Sequence, residues 1–525
     1  MGEGGRRPGE GKVFPPFALS PPLSRKRERE ACDLSQNGGF MASPILFGTD
    51  GWRAVIARDF TFSNVRRVAA ALAKAIKPRS QAVVGYDHRF LSEDFARHAA
   101  AVLAGAGHKV SLASAPVSTP ALSFALRRAK ADVGVVITAS HNPPLYNGFK
   151  VKVPPGCSAD PSFTKRLEEL MDPDETPFDE KMAPAPSFDP AKDYVAFLLS
   201  KLDKKFWRTP KARVVADGMY GPGGRYWEMI FKAMNLKGSL IRTERDPLFG
   251  GVSPEPIDRY LDALKKAVLD SRASLGLAVD GDADRLGVVD DKGEYLPPHQ
   301  VFPLLLLHLV KNRKMTGKVV QTVSLGYLSE RIAKEHKLTL VEVPVGFKHV
   351  ADHILKGKVL LGGEESGGYG VGVIQPERDG LLSGLLLLEY VLAEGKPLSV
   401  LRQEMEAKYG ASRFLREDYP MRNPVGDRKR WSDHLISHLP PKFAGSAVKE
   451  TRTIDGVKIF LEDNSWLLLR PSGTEPLMRT YAESPDLKKT QALMSKAQEM
   501  VNMRPPQEAP PPSAKPTKGK RSKSQ

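Results

Sequence analysis

A serine and a histidine stand on a short polar turn directly after an apolar run. Ser140 and His141 lie in the segment TASHNPP, which follows the run from Val133 to Ile137, and Lys150 comes ten residues after the serine. A buried strand that ends in a tight turn can present a serine hydroxyl to a cleft, where it can carry a transferred group. A polar loop without chemistry is the alternative.

Three aspartates alternate in the segment DGDADR, which follows the apolar run LGLAV. The Gly and Ala between Asp280, Asp282 and Asp284 let the loop curl, so that the three carboxylates can converge. Oxygen ligands alone favour Mg²⁺ over Zn²⁺. An EF-hand loop does not fit, because Arg285 stands where its glycine would be and a strand precedes the motif. The pattern predicts one Mg²⁺ site, with a solvated acidic turn as the alternative.

Two further loops follow apolar runs and carry groups suited to a sugar phosphate. GEESGG places Glu364 and Ser366 between glycines that let a backbone approach a ligand, and both side chains can bond vicinal hydroxyls. RPSGTEP combines a guanidinium fork, hydroxyls and closely spaced backbone N–H groups, which is the equipment of a phosphate-binding nest. The residues of that nest would be Arg470, Ser472, Gly473 and Thr474. Ordinary glycine turns are the alternative for both loops.

Weaker signals come from single basic residues. Lys348 lies in PVGFKH, Arg53 in FGTDGWR and Arg89 in YDHR, beside Asp87. An exposed lysine is usually only solvated, and either arginine fits a surface position or one half of a structural ion pair. These residues gain meaning only together with the four loops.

Strands and helices alternate along most of the chain. AVVGYD, a helix from Ser92 to Gly105, KVSLAS and GVVITAS form a first series; ARVVADG to LGLAVD and KVVQTV to KVLLGG form a second and a third. This alternation predicts α/β layers on largely parallel sheets. The segment from KETRTIDG to RPSG instead predicts antiparallel hairpins, closed by a helix from about Leu487 to Met503. Linkers are expected near 183–191, 296–299 and 410–424.

The bulk composition is that of a globular protein with several domains. Of 525 residues, 41% are hydrophobic and 26% are charged. The longest apolar runs, VFPLLLLHLV and GLLSGLLLLEYVLAEG, fall short of the roughly 20 residues of a membrane span and are expected to form buried core helices. With only Cys32 and Cys157, the chain lacks a disulfide framework, which favours a reducing, cytoplasmic setting. The net charge of +17 suits anionic small molecules and nucleic acid equally, but no nucleic-acid-binding motif accompanies it.

Both ends of the chain lack apolar periodicity. Residues 1–40 are rich in Gly, Pro, Arg and Glu, and residues 504–525 form a Pro/Lys tail, so both are expected to be disordered extensions. Residues 1–40 lack the apolar segment of a signal peptide, and their acidic residues argue against a transit peptide. Met41, just before the first strand-like run, is a candidate start of translation.

The four loop motifs together resemble the α-D-phosphohexomutase family, the phosphoglucomutases and phosphomannomutases. TASHNP, DGDADR, GEESGG and RPSGTEP occur in the family's order between about Pro44 and Met503, and FGTDGWR, YDHR and YNGFK fit the same pattern. The resemblance implies four domains around a central cleft: three related α/β mixed-sheet domains and a smaller C-terminal α+β domain with an antiparallel sheet. The expected boundaries are 41–187 with the serine loop, 188–297 with the metal loop, 298–410 with the sugar loop and 411–503 with the phosphate nest.

The resemblance also implies a role for each motif residue. Ser140 would be the phosphoserine and a metal ligand beside Asp280, Asp282 and Asp284. The residues around the transferring phosphoryl group would be His141, Lys150 and Arg53, with Lys150 as general acid or base. The remaining substrate-binding residues would be Arg285, Lys348, Glu364, Ser366, Arg470, Ser472, Gly473 and Thr474. Valine stands at 345 where the family often has threonine, which weakens the inference for Lys348.

The implied activity is an intramolecular phosphotransfer. A hexose 1-phosphate and its 6-phosphate would interconvert, with glucose preferred and mannose second, through a phosphoserine, one Mg²⁺ and glucose 1,6-bisphosphate. The protein would be a monomer or homodimer with no specific nucleic acid or membrane partner. Phosphoglucosamine mutases usually carry GEQSGH where this chain has GEESGG, so glucosamine is the less favoured substrate. Two competing functions are a Mg²⁺-dependent sugar phosphatase with Asp280 as nucleophile and a nucleic-acid-binding protein using the tail KPTKGKRSKSQ.

Overall fold

The structure is a computed structural model that describes residues 45–48, 50–172, 179–208, 212–421, 423–472, 476–501 and 503. The expected disordered extensions, residues 1–40 and 504–525, lie outside the described residues, as do Gly473 and Thr474 of the phosphate nest. Four sheets follow one another along the chain. The expectation of three mixed α/β domains and an antiparallel C-terminal one is confirmed.

Sheet I is a mixed seven-stranded sheet that carries the serine loop. Its strands are β1 (Trp52–Val55), β2 (Gln81–Tyr86), β3 (Lys109–Ala113), β4 (Val133–Ile137), β5 (Tyr146–Val153), β6 (Cys157–Ser158) and β7 (Pro186–Phe188). The order is β1-β5-β4-β2-β3-β7, with β6 paired to β5. The helices that accompany it are α1 (Phe62–Ala75), α2 (Ser92–Gly105), α3 (Thr119–Ala129) and α4 (Pro161–Leu170). Strand β4 is buried along its whole length, and the polar turn with Ser140 begins shortly after it.

Sheet II has five strands in the order β12-β11-β10-β8-β9. They are β8 (Arg213–Asp217), β9 (Lys237–Ile241), β10 (Leu275–Val279), β11 (Leu286–Asp290) and β12 (Tyr295–Leu296). The helices are α5 (Ala191–Ser200), α6 (Gly223–Met234) and α7 (Asp262–Ser271). Strand β10 runs parallel to β8 but antiparallel to β11, so DGDADR is the loop of a hairpin.

Sheet III has four strands in the order β14-β13-β15-β16. They are β13 (Lys318–Thr322), β14 (Leu340–Val343), β15 (Val359–Gly363) and β16 (Tyr369–Gly370). The helices are α8 (Pro298–Leu307), α9 (Leu328–Glu335), α10 (Phe347–Leu355), α11 (Gly380–Glu394) and α12 (Leu398–Tyr409). The two long apolar runs of the sequence form α8 and α11, whose buried faces confirm the prediction of core helices. No helix among the described residues has the length and apolar character that a membrane crossing needs.

Sheet IV is antiparallel throughout, in the order β17-β22-β21-β20-β19-β18. Its strands are β17 (Arg413–Pro420), β18 (Lys442–Phe443), β19 (Ser446–Arg452), β20 (Val457–Leu461), β21 (Trp466–Pro471) and β22 (Leu477–Ser484). The helices are α13 (Arg428–Ser437) and α14 (Leu487–Met500). The predicted antiparallel hairpins and closing helix are confirmed.

Two of the predicted linkers contain strands. Strand β7 lies within 183–191 and extends sheet I by pairing with β3, and β17 lies within 410–424 and pairs with β22 along eight residues. The linker prediction is wrong for β17 because its charges hide an alternation, in which Phe414 packs against Trp466 and Tyr481. Strands of this kind take their stability from cross-strand packing, which a local reading of composition does not register.

One apolar cluster joins the layers of sheets II and III. It begins with Ala121 and Phe124 of α3, continues from α5 to α12 with the fully buried Trp227, and reaches Trp466 and Tyr481 of sheet IV. Each fully buried large apolar side chain contributes roughly 1.5–3 kcal/mol. This shared core fixes the loops of the sheets relative to one another.

Candidate active site

Each motif loop connects two antiparallel strands of its sheet. TASHNPP joins β4 to β5, DGDADR joins β10 to β11, GEESGG joins β15 to β16, and RPSGTEP joins β21 to β22. Main-chain hydrogen bonds tie the acidic loop and the residue after it to two other segments. Leu286 N–H donates to the Gly367 carbonyl at 2.9 Å, and Thr119 N–H donates to the Asp282 carbonyl at 2.9 Å. The acidic loop therefore lies against the sugar loop and the start of α3.

The serine loop and the acidic loop are in direct contact. The Ser140 hydroxyl donates to Asp280 Oδ2 at 2.7 Å, and both side chains are buried. A Cβ atom at Gly281 would lie only 2.4 Å from the Ser140 carbonyl oxygen, so the glycine is required by this close approach. Ser140 itself has a φ of +52°, a left-handed conformation that is strained for a serine. Its hydroxyl is thus presented to the acidic loop at a local energetic cost.

The three aspartates form a buried group suited to a hard cation. One carboxylate oxygen of each lies within 4.8 Å of those of the other two. Asp280 Oδ1 accepts the backbone N–H groups of Asp284 and Arg285, which curls the loop around its own first carboxylate. Asp282 Oδ1 and Asp284 Oδ1 are buried without a hydrogen-bond partner. Orphaned carboxylate oxygens at this density fit Mg²⁺, so the donor set could hold the ion that the sequence predicts.

The charges within this group are unequal. Burial, reinforced by the carboxylates of Asp282 and Asp284, raises the pKa of Asp280 well above its ordinary value. Burial would also raise the pKa of Asp282, but Lys150 overrides it and holds that pKa below its ordinary range. The positive charge of Lys150 therefore lies against Asp282.

Lys150 is the central cation of the site. Its ammonium donates to Asp282 Oδ2 at 2.7 Å and Asp284 Oδ2 at 3.2 Å, and it lies 2.7 Å from Asp50 Oδ2. Burial alone would lower its pKa, but the three carboxylates raise the pKa of Lys150 above its ordinary value. In this arrangement the lysine is held in its charged form.

His141 and Arg53 flank the serine. His141 Nδ1 lies 3.5 Å from Ser140 Oγ, and Arg53 Nη1 donates to the Asn142 side-chain oxygen at 2.8 Å. Burial, together with the nearby guanidinium groups of Arg285 and Arg53, holds the pKa of His141 well below its ordinary value. His141 is therefore a neutral imidazole here.

The sugar-loop carboxylate Glu364 is buried beside Arg378, which donates to its Oε2 at 3.3 Å. Burial raises the pKa of Glu364 to about 7, against the opposing effect of Arg378. Ser366, two residues on, lines the same cleft. Both residues of GEESGG that the sequence singles out thus face the space beside the metal loop.

A cleft of about 410 Å³ opens beside these groups. The residues that sequence reasoning assigned to the site and that line it are Arg53, His141, Arg285, Lys348, Glu364 and Ser366. Arg416 and Arg479 of sheet IV also line the cleft. Its described lining does not include Arg470 or Ser472.

Arg470 forms an ion pair with Asp455 instead of lining the cleft. Its Nε donates to Asp455 Oδ2 at 2.6 Å, and the same oxygen accepts the Val345 N–H of the sheet III layer at 3.1 Å. Arg470 and Arg479 are cross-strand neighbours in β21 and β22, so the two arginines belong to one basic surface. Arg479 therefore lines the cleft, whereas Arg470 and Ser472, the described residues of the predicted phosphate nest, do not.

Sequence reasoning missed six charged residues of the cleft, which are Asp50, Glu255, Glu365, Arg378, Arg416 and Arg479. Asp50 lies inside FGTDGWR, where the arginine is the more evident candidate, and Arg416 and Arg479 sit on charged strands without a motif. Arg378, in QPERDG, donates to Asp50 Oδ2 at 2.6 Å and Asp284 Oδ2 at 2.7 Å as well as to Glu364. A buried arginine within a polar loop has no local signature, because its partners are far away in sequence.

A serine and three carboxylates at the meeting point of four such domains define a phosphohexomutase. The phosphoglucomutase/phosphomannomutase family matches in all four of its domains: domain I at residues 44–177, domain II at 192–293, domain III at 297–409 and the C-terminal domain at 427–499. The chain belongs to this family. It is accordingly an intramolecular phosphotransferase of the isomerase class.

Several relatives align with most of the chain. A probable phosphoglucosamine mutase of Methanothermobacter thermautotrophicus is 31% identical over 84% of this chain and 94% of its own length. A protein of the same description from Pyrococcus furiosus is 32% identical, covering 87% and 97%. Among solved structures, a putative phosphomannomutase of Thermus thermophilus is 35% identical with a TM-score of 0.78, covering 88% of this chain and 100% of that one.

Proposed function

We propose that this protein interconverts hexose 1-phosphates and hexose 6-phosphates through a phosphorylated Ser140, with glucose preferred and mannose second. The observation that carries the proposal is the 2.7 Å hydrogen bond from the Ser140 hydroxyl to Asp280, within a buried group of three aspartates. A hydroxyl held against a cation site is placed to carry a phosphoryl group. The family membership supports the same reaction class.

The proposed reaction has two reciprocal transfers. Phosphoserine 140 gives its phosphoryl group to the free hydroxyl of the sugar phosphate, so the Ser140 Oγ–P bond breaks and a sugar O–P bond forms. The product is a 1,6-bisphosphate, which turns over in the cleft and returns its other phosphoryl group to Ser140. Bound Mg²⁺, held by Asp280, Asp282, Asp284 and the serine phosphate, would supply neutralisation of the charge on the transferring group.

The protein's own residues supply the remaining charge and protons. We assign the general acid and base role to Lys150. Ion pairs with three carboxylates stabilise its protonated form, which is the acid. Arg53 and Arg285 line the cleft and would add positive charge around the transferring group, while neutral His141 lies beside the serine. Such preorganised charge is most of what phosphoryl transfer requires of a protein.

The sugar is proposed to be held only at groups that survive its turning over. Glu364 and Ser366 would bond the O3 and O4 hydroxyls, and the basic surface of sheet IV would bind the phosphate that is not reacting. None of these contacts reads C2, where glucose and mannose differ. A site without a partner for one hydroxyl rejects the epimer by only ~1–3 kcal/mol, or roughly 10- to 200-fold.

Glucosamine 1-phosphate is the alternative to glucose and mannose 1-phosphates as the substrate. The relatives described as probable phosphoglucosamine mutases favour it, and the cleft offers the carboxylate of Glu255, 3.7 Å from Arg285, to an amino group. A coupled assay with glucose, mannose and glucosamine 1-phosphates decides between them. We expect kcat/KM for glucose and mannose to agree within roughly 200-fold. A glucosamine value that exceeds both would contradict the proposed substrate.

The covalent step is tested by intact-mass measurement. After incubation with glucose 1,6-bisphosphate and Mg²⁺, the wild type should carry one phosphate, and Ser140→Ala should carry none and lose turnover. Ser158→Ala, at a serine that lines the cleft, is the matched control, and this variant should still be phosphorylated. Near-normal turnover in Ser140→Ala would refute the mechanism. Net release of inorganic phosphate from the sugar would instead indicate a phosphatase.

A further inference from the structure

We infer that Arg89 is a positioning residue, which sets the shape of the serine loop for phosphoryl transfer. The inference rests on the proposed function, in that it takes Ser140 as the phosphoryl carrier. Arg89 does not touch the space where a sugar would bind, and it is absent from the described lining of the cleft. It acts through the backbone of the loop.

The guanidinium of Arg89 binds four carbonyl groups of the serine loop. Its Nη2 donates to the carbonyls of Ser140 at 2.5 Å and Asn142 at 2.6 Å. Its Nη1 donates to the carbonyls of Pro143 and Tyr146, both at 2.9 Å. One rigid planar group thus fixes both ends and the middle of the turn from Ser140 to Tyr146.

The guanidinium of Arg89 is also held in place by residues outside the serine loop. Arg89 is completely buried, and its Nε lies 3.3 Å from Asp87 Oδ2. The other oxygen of Asp87 accepts the Arg89 backbone N–H at 2.9 Å and the Ser92 hydroxyl at 2.7 Å. The ring of Phe249, from the sheet II segment of the chain, lies 4.9 Å from the guanidinium carbon. An arginine fixed in this way can determine the conformation of the loop, whereas a mobile arginine would adapt to it.

The loop needs outside support because its own backbone N–H groups do not reach all of its carbonyls. Two successive prolines, Pro143 and Pro144, supply no N–H groups. Within the loop the Tyr146 N–H donates to the Pro143 carbonyl, whereas the carbonyls of Ser140 and Asn142 accept from Arg89. Buried carbonyls without donors are costly. Ser140 is also strained at a φ of +52°, and such a conformation persists only where its surroundings impose it. The four bonds from Arg89 are the surroundings that do so.

A purely structural arginine would make the same contacts, so the experiment must separate the two roles. A positioning role predicts a loss in the chemical step, since a displacement of about 1 Å at the reacting group can reduce the rate about 100-fold. Sugar binding depends on other loops and should change little. A structural role predicts lower stability with normal kinetics of the folded fraction.

Arg89→Lys keeps the charge but cannot reach four carbonyls. In the Mg²⁺-loaded full-length protein we expect kcat to fall about 100-fold, KM for glucose 1-phosphate to stay within about threefold, and Ser140 phosphorylation by the bisphosphate to slow in parallel. Arg89→Ala should regain at least about tenfold in kcat when guanidinium chloride is added at millimolar concentration. Arg313→Lys is the matched control, because Arg313 also combines a carboxylate, Glu389, with a backbone carbonyl, far from the cleft. It should retain wild-type kcat and show no rescue.

Normal kcat in folded Arg89→Lys would overturn the inference, provided that the wild type is active. A wild type that neither turns over sugar phosphate nor accepts a phosphate on Ser140 would instead refute the proposed function. If Arg89→Lys does not fold, Phe249→Leu decides the question, since it removes the ring beneath the guanidinium and leaves the four bonds possible. A fall of about tenfold in its kcat at unchanged KM supports the positioning role, and an unchanged kcat overturns it.

Discussion

Glu364 should lower the stability of the protein near neutral pH. Burial raises its pKa from 4.5 to about 7. Between these two pH values the unfolded chain ionises this group while the folded protein keeps it protonated, so the free energy of unfolding falls as pH rises. A shift of about 2.5 units at 1.36 kcal/mol each corresponds to about 3 kcal/mol, lost fully by about pH 7.5.

Glu364→Gln removes the titration and keeps the shape. The free energy of unfolding of the variant minus that of the wild type should therefore rise by about 3 kcal/mol between pH 4.5 and 7.5 and stay level above. We would measure urea unfolding across this range without Mg²⁺. Hydrogen exchange of the β15 amides would report on the sheet that carries Glu364, since a protein of four domains need not unfold in one step.

The contribution of Glu364 is isolated by the comparison itself. Asp379, whose pKa burial also raises to about 7, is present in both proteins and cancels. Glu499→Gln, at an exposed position in α14, is the matched control for the exchange of a glutamate for a glutamine. A difference between Glu364→Gln and wild type that stays constant with pH would refute the reasoning. Mutase activity should fall in the same variant, because the carboxylate that costs stability is the proposed partner of the sugar hydroxyls.

Three further outcomes follow from the contacts of the site. Asp282→Asn should weaken Mg²⁺ binding about tenfold or more in calorimetry with the fold intact, and an unchanged Kd would contradict the assigned metal site. Arg479→Met should raise KM by about tenfold, with kcat within about threefold and a larger effect than Arg470→Met; the reverse ranking would return the distal phosphate to Arg470. Glu483→Ala leaves three buried donors, among them the Tyr327 N–H, without an acceptor, and should lower the free energy of unfolding by about 3 kcal/mol or more in denaturant titration. A loss below about 1 kcal/mol would show that water replaces the carboxylate.

The parts of the site that could be predicted from the sequence are those whose chemistry is local. Ser140 and the aspartates of DGDADR follow buried strands, and their glycine, proline and alanine neighbours determine a turn whatever the rest of the chain does. Strand ends in neighbouring sheets then bring the loops together. For the same reason the core helices α8 and α11 were predictable, since an unbroken apolar run carries its own signal.

The missed residues act through partners distant in sequence. Arg378 lies 328 residues from Asp50 and 94 from Asp284, and the three share hydrogen bonds. Strand β17 likewise looks like a charged linker until Phe414 meets Trp466. Neither contact has a periodicity or motif, because a buried ion pair and a cross-strand pair are defined only by the folded arrangement.

The buried charges of the cleft are better explained by function than by stability. Lys150 and Arg378 together contact Asp50 and Asp284, and Lys152 lies against Glu377 and Asp50, all within buried or nearly buried surroundings. Replacing such ion pairs by apolar side chains of similar volume is often neutral or stabilising, so packing alone does not account for them. A site that would bind a dianionic phosphate group together with a divalent cation needs fixed charges of both signs, which bind both groups without reorganising. The same reasoning explains why Glu364 remains a carboxylate at a position where an amide would be more stable.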